Sequence, residues 1–526
     1  MTTALEQLKE RMAQVADVRA ASALAHWDQQ TMMPSGGAPA RANSLATLQR
    51  ITHEMFIADE TGRLLQAAEA GIDGADPWSD DACLVRLVRR QWDKARRVPT
   101  QLAAELARAA SIGQEAWVAA REASDFKAFA PYLERNFDLA RRYIECHAGH
   151  DGYECGYDIL LDDYEPEMLT RTVTELFTEL RGELIPVISR LTSEAGHIDD
   201  RLLYGDFPIE RQRPLVAEAV AMMGFEPQNW RIDDTVHPFA IRIARGDVRI
   251  TTRWDEDYFP GGLYGAMHEC GHGLYEAGLA PAFERSPLGA GESLGMHESQ
   301  SRLWENMVGR GRAFCGVLAP RVAHHLGGQL SALDADTLYR AVNRVKPSYI
   351  RVESDEATYA LHIVLRFELE QQLVDGQLTV AELPEAWNAR FEEFFGIRVT
   401  DDAQGVLQDV HWSAGLIGYF PTYALGNLIA GQLWERVHSD IRDLDRRIAA
   451  GELATLREWL REHVHRHGSK FTTAELLQRV VGGPLEVRPF VRYLKAKLGD
   501  VYGLDFGAES APAPGTAQPR PAGGPL

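Results

Sequence analysis

The 526-residue chain has few cysteines, no excess of basic residues and no long apolar run. Its five cysteines are too few for a disulfide framework at this length, which favours a reducing compartment. The formal net charge is -21, and this argues against general binding to nucleic acid or to anionic membranes. No apolar run reaches the roughly 18 residues needed to span a bilayer. We therefore expect a cytoplasmic protein with neither a nucleic-acid nor a membrane partner.

Helical periodicity dominates what the chain does contain. Segments such as QLAAELARAASIGQEAWVAAREA repeat apolar residues at spacings of three and four. Residues 239–254 differ, because two alternating runs flank a turn at 245–247 and predict a β-hairpin. That hairpin either binds an extended peptide along its edge or has a packing role only. We predict a mainly α-helical fold in one domain, residues 1–507, followed by a disordered Pro/Ala/Gly-rich tail, residues 508–526.

The motif AMHECGHGLYE predicts a metal site on a helix. His268 and His272 are four positions apart and share one helical face, so both imidazoles can bind one ion. Glu269 follows the first histidine and can lie beside a water molecule at the metal. The alternative is a helix whose histidines only cap or pack.

A catalytic zinc site needs a third protein ligand. Glu298 follows His272 after 25 intervening residues, a gap that suits a helical hairpin. We expect the first helix to end near Gly278 and the second to begin near Leu294, with glycine, proline and serine in the connection. His297 is a rival ligand, but adjacent helical positions point about 100° apart. A carboxylate third ligand is therefore the preferred interpretation.

Two further groups have both a functional and an ordinary interpretation. His411, Tyr419 and Tyr423 lie close together in the sequence and include donors suited to a negatively charged intermediate, yet such residues are also common in cores. Arg351 lies among acidic residues, a pattern that by itself favours ion pairs at the start of a helix. Its guanidinium is also suited to holding a carboxylate.

Several strings together identify a family resemblance. In order along the chain these are HPF at 237–239, DVRIT at 247–251, HECGH at 268–272, HESQ at 297–300, IRVESDE at 350–356 and GVLQ at 405–408. The chain resembles the carboxypeptidase Taq family of zinc metallocarboxypeptidases from about residue 5 to about residue 505. Ser354 departs from the alanine common in the family, a small change that we expect to leave the role of its neighbour Arg351 intact.

The resemblance implies a role for each candidate. It implies that His268, His272 and Glu298 bind the metal, that Glu269 is the catalytic carboxylate, that Arg351 holds the C-terminal carboxylate of the substrate, and that His411 and Tyr423 donate to the intermediate. The implied cofactor is one Zn²⁺ per chain, with Co²⁺ as a substitute. The implied fold is helical with a small sheet beside a deep cleft, and the implied assembly is a homodimer.

The expected activity is hydrolysis of single amino acids from the C-terminus of peptides. A metal-dependent endopeptidase or dipeptidase on the same scaffold is the first alternative, because a metal site alone does not set the cleavage position. A non-catalytic peptide-binding protein is the second. The presence of Glu269 argues against that second alternative, since a binding protein needs no base beside a metal.

Overall fold

A computed structural model describes residues 3–150, 152–194, 196, 198–291 and 293–507 of the chain. It is 68% helical with a small three-stranded sheet, which confirms the predicted mainly α-helical class. Every helix in these ranges is too short or too polar to cross a bilayer. The predicted tail at 508–526 lies outside the described residues.

Nine helices precede the sheet in the described ranges. They are α1 (Ala4–Thr31), α2 (Ala38–Ile57), α3 (Asp59–Gly71), α4 (Asp80–Arg97), α5 (Thr100–Ala123), α6 (Phe126–Glu145), α7 (Gly156–Leu161), α8 (Thr170–Glu194) and α9 (Ile209–Met223). Helix α1 begins with a capping box, in which Thr3 and Glu6 each bind the other's backbone N–H.

The remaining helices follow the sheet. The two that carry the metal motif are α10 (Phe259–Gly278) and α11 (Leu294–Arg302), and α11 continues into a π-helical segment (Leu303–Gly309). Then come α12 (Arg312–Leu326), α13 (Ala335–Val342), α14 (Glu356–Val374), α15 (Leu383–Phe395), α16 (Pro421–Asp440), α17 (Leu444–Ala449), α18 (Ala454–His463), α19 (Thr473–Val480) and α20 (Arg488–Tyr502).

The sheet lies directly before α10 in the chain. Strands β2 (Ala240–Ala244) and β3 (Asp247–Thr252) pair antiparallel, which confirms the predicted hairpin. Strand β1 (Trp230–Asp234) pairs parallel to β3 on its other side and was not predicted. Its five residues include three charged side chains, and a run this short has no clear periodicity. Its pairing with β3 is a long-range contact that local pattern does not encode.

Two apolar cores hold the fold together. The larger includes α10, α11, α14 and α16, and most of α10 is buried within it. The smaller joins α1, α3 and α4 to Phe283 and Leu288, which belong to the connection between α10 and α11. The connection between the two metal-motif helices is therefore packed against the N-terminal helices.

Candidate metal centre

Helix α10 carries the motif and ends where the spacing predicted. It terminates at Gly278, and α11 begins at Leu294 with Ser293 as its N-cap, whose hydroxyl accepts a hydrogen bond from the Met296 N–H at 2.9 Å. The predicted helical hairpin is confirmed. A capped α11 starts at a defined residue, so the position of Glu298 one turn later is also defined.

Glycines allow the helices around Glu298 to approach closely. A Cβ on Gly271 of α10 would lie 2.8 Å from the carbonyl oxygen of Gln300 on α11. A Cβ on Gly426 of α16 would lie 2.7 Å from Cγ of Glu298 itself. Both distances are shorter than a carbon side chain tolerates. The missing side chains therefore permit the packing that brings Glu298 against α10.

The three predicted ligands converge. Oε2 of Glu298 lies 3.6 Å from Nε2 of His268 and 3.3 Å from Nε2 of His272, and one ligand atom from each residue lies within 4.8 Å of the others. Burial opposes the charge of Glu298, but Arg302 and His268 outweigh it and hold its pKa well below the ordinary value. Burial lowers the pKa of His272 to about 3, which keeps this imidazole neutral. Two imidazoles and one carboxylate are a donor set that suits zinc.

Glu269 is buried next to these ligands, with 7% of its surface exposed. Burial is the main reason that its pKa rises to about 7. A carboxyl group with a pKa in this range can accept and release a proton near neutral pH.

Arg351 lies outside the helix that its sequence context suggested. It begins a short 3₁₀ turn (Arg351–Glu353) before α14 and is only 5% exposed. Its Nε and Nη2 donate to Oδ1 of Asp409 at 3.0 and 2.7 Å, and its Nη1 donates to the Tyr359 hydroxyl at 3.0 Å. Arg366 also donates to Asp409, from Nε to Oδ2 at 2.7 Å. Two buried guanidinium groups therefore share one carboxylate.

His411 and Tyr423 lie next to this cluster. Nε2 of His411 is 3.1 Å from the Tyr423 hydroxyl, and the Arg351 guanidinium lies 4.9 Å from the centre of the Tyr423 ring. Burial raises the pKa of Tyr423 well above its ordinary value, so the phenol keeps its proton. Burial, with the charges of Arg351 and Arg366, lowers the pKa of His411 to about 3 and keeps it neutral.

A chain of contacts joins the arginine cluster to the metal ligands. Tyr359, which accepts from Arg351, lies under the guanidinium of Arg302 at 4.1 Å. Arg302 in turn donates from Nε to Oε1 of Glu298 at 2.6 Å. The fold therefore brings all seven sequence-predicted residues into one neighbourhood.

Sequence reasoning missed two carboxylates in this neighbourhood. Asp409 lies two residues before His411, and its aspartate type was the only signal, because its partner Arg351 is 58 residues away. Oε2 of Glu305 lies 2.9 Å from Nδ1 of His268. It follows Glu298 by seven positions, a spacing that repeats a helical face and could have identified it.

Comparison with known proteins decides the family of this site. A family model described as carboxypeptidase Taq (M32) metallopeptidase matches residues 7–498. The chain belongs to the carboxypeptidase Taq (M32) family. This confirms the resemblance drawn from the ordered motifs, and with it the assignment as an enzyme of metallocarboxypeptidase type.

Individual M32 relatives match along almost their whole length. Thermostable carboxypeptidase 1 of Thermus thermophilus is 40% identical over 506 residues, which cover 95% of this chain and 99% of that protein. Carboxypeptidase 1 of Bacillus subtilis is 35% identical over 484 residues, 92% of this chain and 95% of that protein. The crystal structure of the M32 carboxypeptidase from Deinococcus radiodurans superposes with a TM-score of 0.92 at 36% identity, covering 96% of this chain and 100% of the other.

Proposed function

We propose that this M32 enzyme is a zinc-dependent carboxypeptidase that releases single amino acids from the C-terminus of peptides. Membership of the family supports a metal-dependent carboxypeptidase. The observation that carries the finer proposal is the buried cluster of Arg351, Arg366 and Asp409 beside the metal ligands, because its two guanidinium groups outnumber its one carboxylate.

The net charge of the cluster supports a carboxylate as its ligand. Burial lowers the pKa of Arg366 to about 10, so Arg366 remains charged at neutral pH. Arg351 is likewise charged, and the pKa of Asp409 is far below its ordinary value because both guanidinium groups outweigh its burial. Two positive charges and one negative charge leave a surplus of one positive charge in a buried place. Buried charges are stable when paired, and a substrate carboxylate is a suitable partner.

The free N–H groups of Arg351 suit a carboxylate. Its Nε–H and one N–H of Nη2 are used by Asp409, and one N–H of Nη1 is used by Tyr359. One N–H of Nη1 and one N–H of Nη2 remain for a ligand, and a carboxylate can accept from both groups. Asp409 and Tyr359 hold the guanidinium in one orientation, so little conformational freedom is lost when the substrate binds.

His268, His272 and Glu298 would hold the zinc ion. When bound there, zinc polarises the scissile carbonyl group and lowers the pKa of water. Glu269 would take a proton from the attacking water and later deliver it to the leaving amine. Its pKa of about 7 matches both transfers.

Tyr423 is the proposed donor to the negative charge that develops on the carbonyl oxygen. Its hydroxyl keeps its proton, and the neutral His411 contacts it through Nε2. When His411 donates this Nε2–H to the phenol oxygen, the phenol proton is free to point to the substrate. In this arrangement His411 orients Tyr423 rather than contacting the substrate oxygen itself.

Timed mass spectrometry of peptide digests tests the proposal. The expected result is a ladder of products that shorten by one residue from the C-terminus, and C-terminally amidated peptides should be cleaved much more slowly. Equal cleavage of the acid and amide forms would favour an endopeptidase, and cleavage restricted to dipeptide substrates would favour a dipeptidase. The homodimer and the cytoplasmic location also remain proposals, and light scattering of the purified protein tests the first.

A further inference from the structure

His297 lies beside the metal ligand Glu298 but has a different contact. Its Nδ1 lies 2.6 Å from Nδ1 of His272, and its Nε2 lies 2.9 Å from Oε1 of Glu276. The centres of the two imidazole rings are 4.5 Å apart, and their planes differ by 25°. The two facing Nδ1 atoms are within hydrogen-bond distance of each other.

His272, Glu276 and His297 belong to the two helices of the metal motif. Helix α10 supplies His272 and, four residues later, Glu276, which lies on the same helical face. Helix α11 supplies His297. The ring is confined, since a Cβ on Gly291 would lie 3.2 Å from Cδ2 of His297, and the Tyr275 ring centre is 5.3 Å from that of His297.

The hydrogen bonds that join Glu276, His297 and His272 have only one consistent direction when His297 is neutral. A carboxylate only accepts, so Nε2 of His297 carries the proton that faces Glu276. Nδ1 of His297 is then an acceptor, and the proton between the two imidazoles must belong to Nδ1 of His272. This leaves a lone pair on Nε2 of His272, which lies 3.3 Å from Oε2 of Glu298.

The opposite direction would disable the ligand. If Nδ1 of His297 donated, the proton of neutral His272 would sit on Nε2 and point at the metal position. The other ligand, His268, meets a carboxylate directly, because its Nδ1 is 2.9 Å from Oε2 of Glu305. Partners of this kind fix the tautomer and the ring orientation of metal-binding histidines. His272 has no direct carboxylate at Nδ1 in the described structure and meets His297 there instead.

We propose that Glu276 and His297 are positioning residues, which set the tautomer of His272 so that its Nε2 lone pair faces the metal. The proposal rests on the metal site of the proposed function. It also gives a role to the residue that the sequence offered as a rival ligand.

Two amide substitutions separate this role from simple packing. In His297→Asn, Oδ1 occupies about the place of Nδ1 and can accept from His272. In His297→Gln, the amide reaches toward Glu276 and leaves no acceptor at the Nδ1 position. We expect the zinc Kd of His297→Asn to stay within about fivefold of wild type, whereas His297→Gln and His297→Leu weaken it by about 10- to 100-fold.

The measurement is competition for zinc against a chromophoric chelator, without any peptide. The visible absorption of the Co²⁺-loaded protein gives a second readout, which should change in His297→Gln and be nearly unchanged in His297→Asn. His438→Leu is a matched control, because His438 also meets a carboxylate through Nε2, at 3.2 Å from Asp445, but its Nδ1 faces the Trp434 carbonyl oxygen. Thermal unfolding of the metal-free variants shows that each is folded.

The outcomes are decisive in each direction. Wild-type Kd in both His297→Gln and His297→Leu, or equal weakening in His297→Asn and His297→Gln, overturns the positioning role while leaving the proposed function intact. Failure of the wild-type protein to bind zinc overturns both. If His297→Leu does not fold, the comparison of the two amide variants still decides.

Discussion

The Arg351 anchor is best tested by changing the enzyme and the substrate together. Arg351→Met removes the guanidinium, and amidation of the peptide removes its C-terminal charge. Truncating one partner of a buried, hydrogen-bonded charge pair costs about 2–5 kcal/mol. At about 1.36 kcal/mol for each tenfold change, either alteration alone should lower kcat/KM by about 30- to 5000-fold.

The structure shows why the variant is expected to fold. After Arg351→Met, Asp409 still pairs with Arg366, so no carboxylate is left buried and unpaired. The Tyr359 hydroxyl loses its hydrogen bond from Arg351, which costs about 1–3 kcal/mol of stability at most. The fall in kcat/KM should therefore appear in folded, zinc-loaded protein.

The assay is a four-way comparison of kcat/KM for wild type and variant with acid and amide peptides. If Arg351 binds the carboxylate, the variant should cleave the two peptides with kcat/KM values within about threefold of each other. The coupling free energy between the substitution and the amidation should then be as large as the loss caused by either change alone, about 2–5 kcal/mol. Arg181→Met is the control, because Arg181 pairs with Glu368 rather than with Asp409. If the Arg351 variant still discriminates against the amide as strongly as wild type, the reasoning is wrong.

Four further predictions concern the chemistry at the metal. Glu269→Gln should retain zinc but lower kcat by about 100- to 10,000-fold, as measured by metal analysis and steady-state kinetics. Since the pKa of Glu269 is about 7 and a bound cation favours its charged form, kcat/KM of wild type should fall as pH drops through a value at or below about 7; a flat profile between pH 5 and 8 would contradict this. Tyr423→Phe should lower kcat by about 100- to 1000-fold with little change in KM, and near-normal kcat would remove Tyr423 from the mechanism. Chelation should abolish peptide hydrolysis and added zinc should restore it; activity in the metal-free protein would refute the metal assignment.

Residue spacing predicted much of the candidate metal centre, because spacing along a helix sets which side chains lie on the same face. His268 and His272 share a face wherever the helix forms, and the glycine- and proline-rich connection indicated where α10 ends and α11 begins. The π-helical segment after α11 was beyond this reasoning, since spacing and propensity do not distinguish such a segment from a continuing α-helix.

Sequence patterns predicted the helical class, the β-hairpin and the family correctly, and they supplied seven candidate site residues. The surroundings of these candidates follow only from the packed fold: Asp409 is shared by Arg351 and Arg366, and His297 contacts His272. The difference lies in the range of the interactions. Helical periodicity fixes the face of each side chain within a few residues, whereas burial, charge balance and hydrogen-bond direction depend on elements far apart in the chain that meet only when the cores pack.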